Sequence, residues 1–434
     1  MKRTLSAILL AALAASALAA QAPTIPALKG KKVQLTLWTH EDANRMPLEK
    51  GYIAEFTAAN PGVTVNYVTY PTDKIRDLTT TAFAANQGPD IFNLQISDAY
   101  PFMANGRVAP IDFKMTAYKD VKDLESKYLP GTLAPVIEKG KAYGLPLELT
   151  NYCLYLNKKI FRDAGLDPDK DYPKTWEDVM AVSEKIVQRN GEIITRRGFD
   201  FRYGVEPLIC WVPMVEQLGG ELISKDGKAI VGDDAWLKVL TYVRDFGPAG
   251  KNLGSPTYTA ARKVFDLNKN EIAMSLSGLY QEARIIKSNP EFYNSKDWMV
   301  IPYPQWKDAA KRVPNNFYGH YYVVNAQSSK LAQQASWALV NYMLSHGEAY
   351  LQKVAIVQPS KSLMESKTFK EMPYSDVFAK DMSAAHVVYY GASSTKIDAL
   401  LKEAFESVML AGGPSPKEAL ERLRKSVTEV LASE

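Results

Sequence analysis

Between Lys32 and Leu94 three β-rich runs alternate with two helical ones, and this order limits the fold more than any other feature of the chain. Lys32 to Trp38 (KVQLTLW) and Val63 to Tyr70 alternate apolar and polar residues, and Asp90 to Leu94 (DIFNL) is a third short run. Period-two alternation in β-branched and aromatic residues marks strands. Between them, Pro47 to Asn60 spaces Leu48, Tyr52, Ile53 and Phe56 on one helical face and stops at Asn60-Pro61-Gly62. Thr72 to Asn86 is a second helical run, stopped by Gln87-Gly88-Pro89. Strand and helix in this order predict an α/β fold built on a largely parallel sheet. Such sheets bind ligands beyond the carboxyl ends of their strands. Trp38, His40, Glu41 and Asp42 stand at one of these ends, and Asn93, Gln95 and Asp98 at another.

The stretch Gly140 to Lys158 (GKAYGLPLELTNYCLYLNK) then joins this pattern to a new one. An extended segment with polar punctuation runs to Asn151, a strand-like Tyr152 to Leu156 follows, and Asn157-Lys158 opens a helix. It reads as a first crossing between two lobes with Glu148 and Asn151 facing the gap; an ordinary strand with a polar kink is the alternative. Thr175-Trp176-Glu177-Asp178 fits a capping box, starting a helix expected to reach about Asn190. Further helices are expected over Ile209 to Leu218 and Asp233 to Phe246, with strands at Glu271 to Ser277, Asp297 to Pro302 and Tyr318 to Asn325. From Lys330 the chain is almost all helix, and Ser415-Pro416-Lys417-Glu418 is its last start signal. Strands thus cluster in two separate regions, as in a chain that visits each lobe twice. Crossings are expected at Leu147–Asn151, Ala273–Ser277 and Tyr322–Ala326. Residues 20–148 and 274–324 would then form one lobe, and 149–273 and 325–434 the other.

The first residues carry a separate message. Met1-Lys2-Arg3 is basic, Ala7 to Leu18 is apolar and small, and Ala17-Leu18-Ala19 offers a cleavage site, so residues 1–19 read as a secretory signal peptide. Removing 19 of 434 residues leaves 415, beyond the roughly 250–300 at which one core stops growing, so two domains are expected. The exported protein is expected to be soluble outside the cytoplasm. Its near balance of 52 Lys and Arg against 48 Asp and Glu, with no basic block, argues against nucleic acid and anionic membranes as partners. Cys153 and Cys210 either pair or lie as two buried thiols. No P-loop, H-E-x-x-H or G-x-S-x-G motif occurs, and His40, His320, His346 and His386 show no metal-ligand spacing. No cofactor and no metal are therefore expected.

Eight segments in order resemble the extracellular solute-binding proteins of ABC importers, in the branch that includes maltose-binding protein. They are VQLTLWTH, FTAANPGVTVNYV, QGPDIFNL, GKAYGLPLE with CLYLNKKIFRDAGL, PKTWEDV, QLGGELISKDGKAI, EIAMSLSGLYQEARI and SSKLAQQASWALVNYML, and the resemblance as a whole runs from about Lys32 to about Leu431. The resemblance implies two α/β lobes, three hinge segments and a sugar held in the central cleft by a monomer. It also implies delivery to a permease whose ATPase subunits carry the ATP chemistry. By the same resemblance Tyr280, after Ser277-Gly278, stands near a stacking aromatic, Glu206 and Trp211 lie where the second lobe contributes, and Tyr389 and Tyr390 match a C-terminal aromatic position. The loops depart from maltose-binding protein, which leaves maltose itself in doubt.

These residue types suit a sugar. Aromatic rings offer flat apolar area to C–H faces, and carboxylates and amides bond to the rim of hydroxyls. The expected ligand-binding set is Trp38, Glu41, Asp42, Asn93, Gln95, Asp98, Glu148, Asn151, Glu206, Trp211, Tyr280, Tyr318, Tyr389 and Tyr390. Plainer readings stand beside it: Trp38 as core, Glu148 as a hinge salt bridge, and Tyr318 alone of Tyr318–Tyr322 reaching the cleft. Trp176, Trp236 and Trp337 read as core. An anionic solute would instead need Arg45, Arg202 or Arg284. A carbohydrate hydrolase, with carboxylates about 5–5.5 or 6.5–9.5 Å apart, and a sensor-only binding protein are the rival functions.

Overall fold

The computed structural model describes residues 22–72, 74–201, 210–258 and 260–433; the expected signal peptide, Arg202 and Glu206 lie outside them. Fourteen strands are described: β1 Val33–His40, β2 Val63–Tyr70, β3 Ile91–Gln95, β4 Ile137–Glu138, β5 Lys141–Ala142, β6 Gly144–Thr150 and β7 Cys153–Asn157. They continue with β8 Gln188–Asn190, β9 Ile193–Phe199, β10 Glu221–Ile223, β11 Ala229–Val231, β12 Ile272–Ser277, β13 Trp298–Ile301 and β14 Tyr318–Val324. Two five-stranded sheets result, in the orders β2-β1-β3-β14-β6 and β13-β7-β12-β9-β8. Each belongs to one lobe.

In the first sheet the alternating runs do what their pattern requires. β1 lies parallel to β2 and to β3, whereas β14 runs antiparallel to both β3 and β6. The carboxyl ends of β1, β3 and β6 and the amino end of β14 therefore share one edge. β6 is an edge strand, yet every residue of it is buried. Helix Lys330–Leu344 packs on it, and the Leu149 N–H donates to the Val357 carbonyl, so its outer edge is covered. The expected capping boxes form at Thr175 with Asp178 and at Ser415 with Glu418.

The first crossing falls between β6 in one sheet and β7 in the other, at Thr150–Cys153. The other two differ from expectation. β12, expected at the second crossing, lies inside the second sheet, bonded to β7 on one side and β9 on the other. The chain returns to the first lobe only between β13 and β14. Tyr322–Ala326 is no crossing either, because helix Lys330–Leu344 packs on β1, β6 and β14 of that same lobe. The last passage begins at helix Ser375–Met382, which already packs on β7 of the second sheet, and runs on to helices Ser394–Met409 and Pro416–Ala432, which pack on helix Asp233–Phe246. Strand alternation reports a face to bury; which sheet a strand joins depends on distant pairing.

A second difference lies after Trp176. That helix ends at Ile186, and β8 and β9 form a hairpin in which Asn190 faces Ile193 across a turn with Gly191 at φ +59°. Asn190-Gly191 is a strong turn signal that the helical reading ran through. Trp176, Trp236 and Trp337 are fully buried, as expected.

Candidate functional site

The site is built where the first sheet meets the first crossing. In the ladder, His320 of β14 stands between Gln95 of β3 and Glu148 of β6. Gly319 permits this approach: a Cβ there would lie 2.0 Å from the Glu148 carbonyl oxygen. The β14–β6 register shifts between His320 and Tyr321, the kind of irregularity that re-aims a side chain. As a result His320 Nδ1 lies 3.1 Å from Glu148 Oε1. His40, at the end of β1, brings its Nε2 to 3.8 Å from the same oxygen, and the two imidazoles stack with centroids 4.2 Å apart.

The surrounding partners hold this unit. Asn93 Oδ1 accepts from the His40 backbone N–H at 3.2 Å, and Asn93 Nδ2 lies 2.6 Å from His40 Nδ1. Arg45, fully buried, donates to the His40 carbonyl and pairs with Glu49 at 3.2 Å. Burial above all, with the Arg45 charge beside it, holds the His40 pKa well below the ordinary histidine range, which favours the neutral ring. Asp98 follows β3 and faces Arg76 at 3.6 Å. Burial pushes its carboxyl above the usual value, against the pull of Arg76.

Of the expected residues, Glu148, Asn93, Gln95, Asp98, Asn151 and Tyr318 gather at this edge. Tyr318 pairs with Thr150 in the ladder, and its ring lies 5.8 Å from Tyr152 and 5.4 Å from His320. Asn151 is fully buried on the crossing, and its Oδ1 has no hydrogen-bond partner among the described residues. Tyr389 and Tyr390 sit on the last crossing, one against each hydrophobic core. Nearby, Thr395 Oγ1 donates across to the Ser97 carbonyl at 3.3 Å.

Others do not join. Trp211 is fully buried in the second core, stacked on Phe405 at 4.6 Å, so its ring is packing and not a platform. Asp42 caps the following helix, accepting from the N–H groups of Asn44 and Arg45, while Glu41 is exposed beside it. Trp38 is half-buried, edge-on to Tyr70 on the outer strand β2 at 4.9 Å. Tyr280, by contrast, is half-buried against the second core but reaches the first passage: a Cβ at Gly278 would meet its ring at 2.7 Å and Thr150 Cγ2 at 2.8 Å, and the Arg262 guanidinium lies 5.9 Å from the ring. Of the arginines that would serve an anion, Arg45 is committed to Glu49 and Arg284 to Asp266. Cys153 and Cys210 are both buried and not bridged: the Cys153 thiol faces Asp381 at 3.6 Å, and Tyr303 donates to the Cys210 carbonyl at 2.7 Å. The histidines are absent from the expected binding set, although the sequence places His40 at the end of the first strand. His40 and His320 are 280 positions apart, and only the position of each at a strand end could have flagged them.

Two α/β lobes joined by three passages, with polar groups gathered at a sheet edge beside the first passage, define a two-lobe solute-binding protein. The chain belongs to the bacterial extracellular solute-binding protein family, whose model matches residues 43–350. That family is one of binding proteins, not enzymes. A binding protein of Brucella abortus is 27% identical over 237 residues, covering 54% of this chain and 55% of its own. The arabinooligosaccharide-binding protein of Bacillus subtilis is 22% identical over 298 residues, 65% of this chain and 63% of that one. The chain thus aligns with little more than half the length of the first of these relatives. A solute-binding protein of Thermotoga lettingae, solved with α-D-tagatose, shares the fold at a TM-score of 0.78 and 20% identity, over 92% of this chain and 99% of that one. No helix among the described residues is long and apolar enough to cross a membrane.

Proposed function

We propose that the protein captures a neutral carbohydrate, a sugar or oligosaccharide, between its lobes and delivers it to an ABC permease outside the cytoplasm, without chemical change. The observation that carries this reading is the set of polar groups at the sheet edge: Glu148, His320, His40 and Asn93 beside the ring of Tyr318. A carboxylate, two imidazoles and an amide supply both acceptors and donors to hydroxyls, and a ring flanks them with apolar area. Among the described residues Arg45 is paired with Glu49, Arg284 with Asp266 and Arg76 with Asp98, which speaks for a neutral solute over an anionic one. The name of the Bacillus subtilis relative supports a carbohydrate.

The test is calorimetry and thermal shift across mono- and oligosaccharides, with glycerol phosphate as the anionic comparison. A bound sugar at a hundredfold excess over Kd stabilises by about 2.7 kcal/mol, and binding should change little with added salt. Glu148→Gln should weaken binding by about 1–3 kcal/mol, as loss of a charged acceptor does. Tight, salt-sensitive binding of the phosphate with no sugar response overturns the reading.

A further inference from the structure

The hydrogen bonds around Glu148 fix where the proton sits on each of the two buried imidazoles. Asn93 Oδ1 accepts from the His40 backbone N–H at 3.2 Å, so the other half of that amide, Nδ2, is the donor to His40 Nδ1 at 2.6 Å. A neutral His40 ring that accepts at Nδ1 carries its proton on Nε2, which lies 3.8 Å from Glu148 Oε1. The same carboxylate oxygen only accepts, so His320 Nδ1 donates to it at 3.1 Å. A neutral His320 ring then has its proton on Nδ1 and a bare lone pair on Nε2. We propose that His320 Nε2 is the acceptor that sets specificity, and that a hydroxyl of the bound solute must donate to it. This rests on the carbohydrate reading and deepens it by naming one atom and the polarity of its partner.

The first support is the unmet nitrogen. His320 is almost fully buried, and its Nε2 has no hydrogen-bond partner among the described residues. A buried polar atom left unmet is costly and calls for a partner. The second support is its place. His320 belongs to the first sheet, whereas the Tyr318 ring, 5.4 Å from the His320 ring, packs on the second core. The imidazole therefore stands where the lobes meet, and a solute held between them comes up against it.

The third support is that the ring is held. Glu148 binds one edge, the His40 ring stacks on its face at 4.2 Å and 27°, and Tyr318 stands edge-on to it. Turning the ring over would break the Glu148 bond. A second proton, on Nε2, would turn the unmet acceptor into an unmet buried donor on a charged ring stacked against another imidazole. His40 offers no equivalent, because its bare nitrogen is already met by Asn93.

An acceptor in this position selects. A hydroxyl can donate to a lone pair, whereas a methoxy oxygen, a C–H group or a fluorine cannot. A site built to bond a hydroxyl rejects the analogue that lacks it.

The experiment uses the whole mature protein with ring-15N histidine at about pH 7, where an unperturbed imidazole is mostly neutral. Long-range proton–nitrogen spectra read each tautomer directly. Without sugar, His320 should show its proton on Nδ1 and a bare Nε2, and His40 the reverse. A His320 proton on Nε2, or on both nitrogens, overturns the proposal. The sugar probes are glucose, galactose, arabinose and xylose with their disaccharides, followed by monodeoxy and monofluoro analogues of whichever binds tightest by calorimetry. On binding, the bare His320 nitrogen should move upfield as it accepts a hydrogen bond. One analogue should lose about 10–100-fold in affinity. That loss should vanish in His320→Asn, whose amide N–H can still donate to Glu148 but which has no atom at the Nε2 position. An equal loss in folded His320→Asn, or an unmoved nitrogen at saturation, overturns the proposal. If the variant fails to fold, the nitrogen shift in the unaltered protein decides. The expected tautomers with no sugar bound would defeat the carbohydrate reading and this proposal with it. Sugar binding with the other tautomer would defeat this proposal alone.

Discussion

At the scale of single residues, burial decides role. Trp211 and Tyr318 are both aromatic and both suited to a sugar face, yet one is sealed against Phe405 and the other stands beside His320. Trp211→Ala should therefore cost stability and not touch a ligand directly: about 3–5 kcal/mol, as for other large core truncations, measured by denaturant unfolding. Asp381 makes a second case. It is fully buried, accepts from the Tyr303 N–H at 2.9 Å and from the Cys153 thiol, and pairs with Arg312. Burial raises its pKa above the ordinary 3.8, against the pull of the Tyr303 N–H and Arg312. A carboxyl raised on folding takes up its proton earlier in the folded than in the unfolded chain. It therefore adds stability as pH falls through the folded pKa, the gain being complete below 3.8. Asp381→Asn lacks this gain. The melting temperature of the unaltered protein relative to this variant should be higher at about pH 4 than at about pH 7. A difference that is flat or reversed by differential scanning fluorimetry would show that Asp381 is ionised at no extra cost.

At the scale of elements, the pairing of β14 with β6 carries the site. Gly319 has no room for a side chain against the Glu148 carbonyl, and backbone cannot yield as a flexible side chain would. Gly319→Ala should push the two strands apart, lower the melting temperature and part His320 from Glu148. Solute affinity should fall with it, and calorimetry with a melting curve checks both. Elements whose cause is local were legible in the chain. The capping boxes at Thr175 and Ser415 follow from side chains three residues apart, and β1 and β2 follow from their own alternation. The β8–β9 hairpin was hidden because the helical run before it carried on into Gln188, although Asn190-Gly191 marked the turn. Gly198 lets β9 lie against Ser183, whose Cα would be 2.3 Å from a Cβ there.

At the scale of the whole molecule, three passages join two lobes, and they meet in one bonded bundle. The Asn315 side chain accepts from the Tyr152 N–H at 2.8 Å, and the Phe317 N–H donates to the His386 carbonyl at 3.0 Å. The first, second and third passages are thus tied to one another, as a hinge that bends without coming apart requires. Closure about them should reduce the radius of gyration when solute is added, measured by small-angle scattering at saturating ligand. An unchanged radius would leave a cleft that binds without moving.

What the chain determined by itself was whatever depends on neighbours a few positions away: strand alternation, helix caps, and the neighbourhood of the first crossing, expected at Leu147–Asn151 and found at Thr150–Cys153. From these came the α/β lobes and the edge at which a ligand would sit. Tertiary structure alone decided which sheet β12 joined, because its alternating face suits either core and only the ladders to β7 and β9 distinguish them. It alone decided that Trp211 is packing. It alone brought His40 to His320, since two residues 280 positions apart carry no local signal of a contact made by strands on either side of β3.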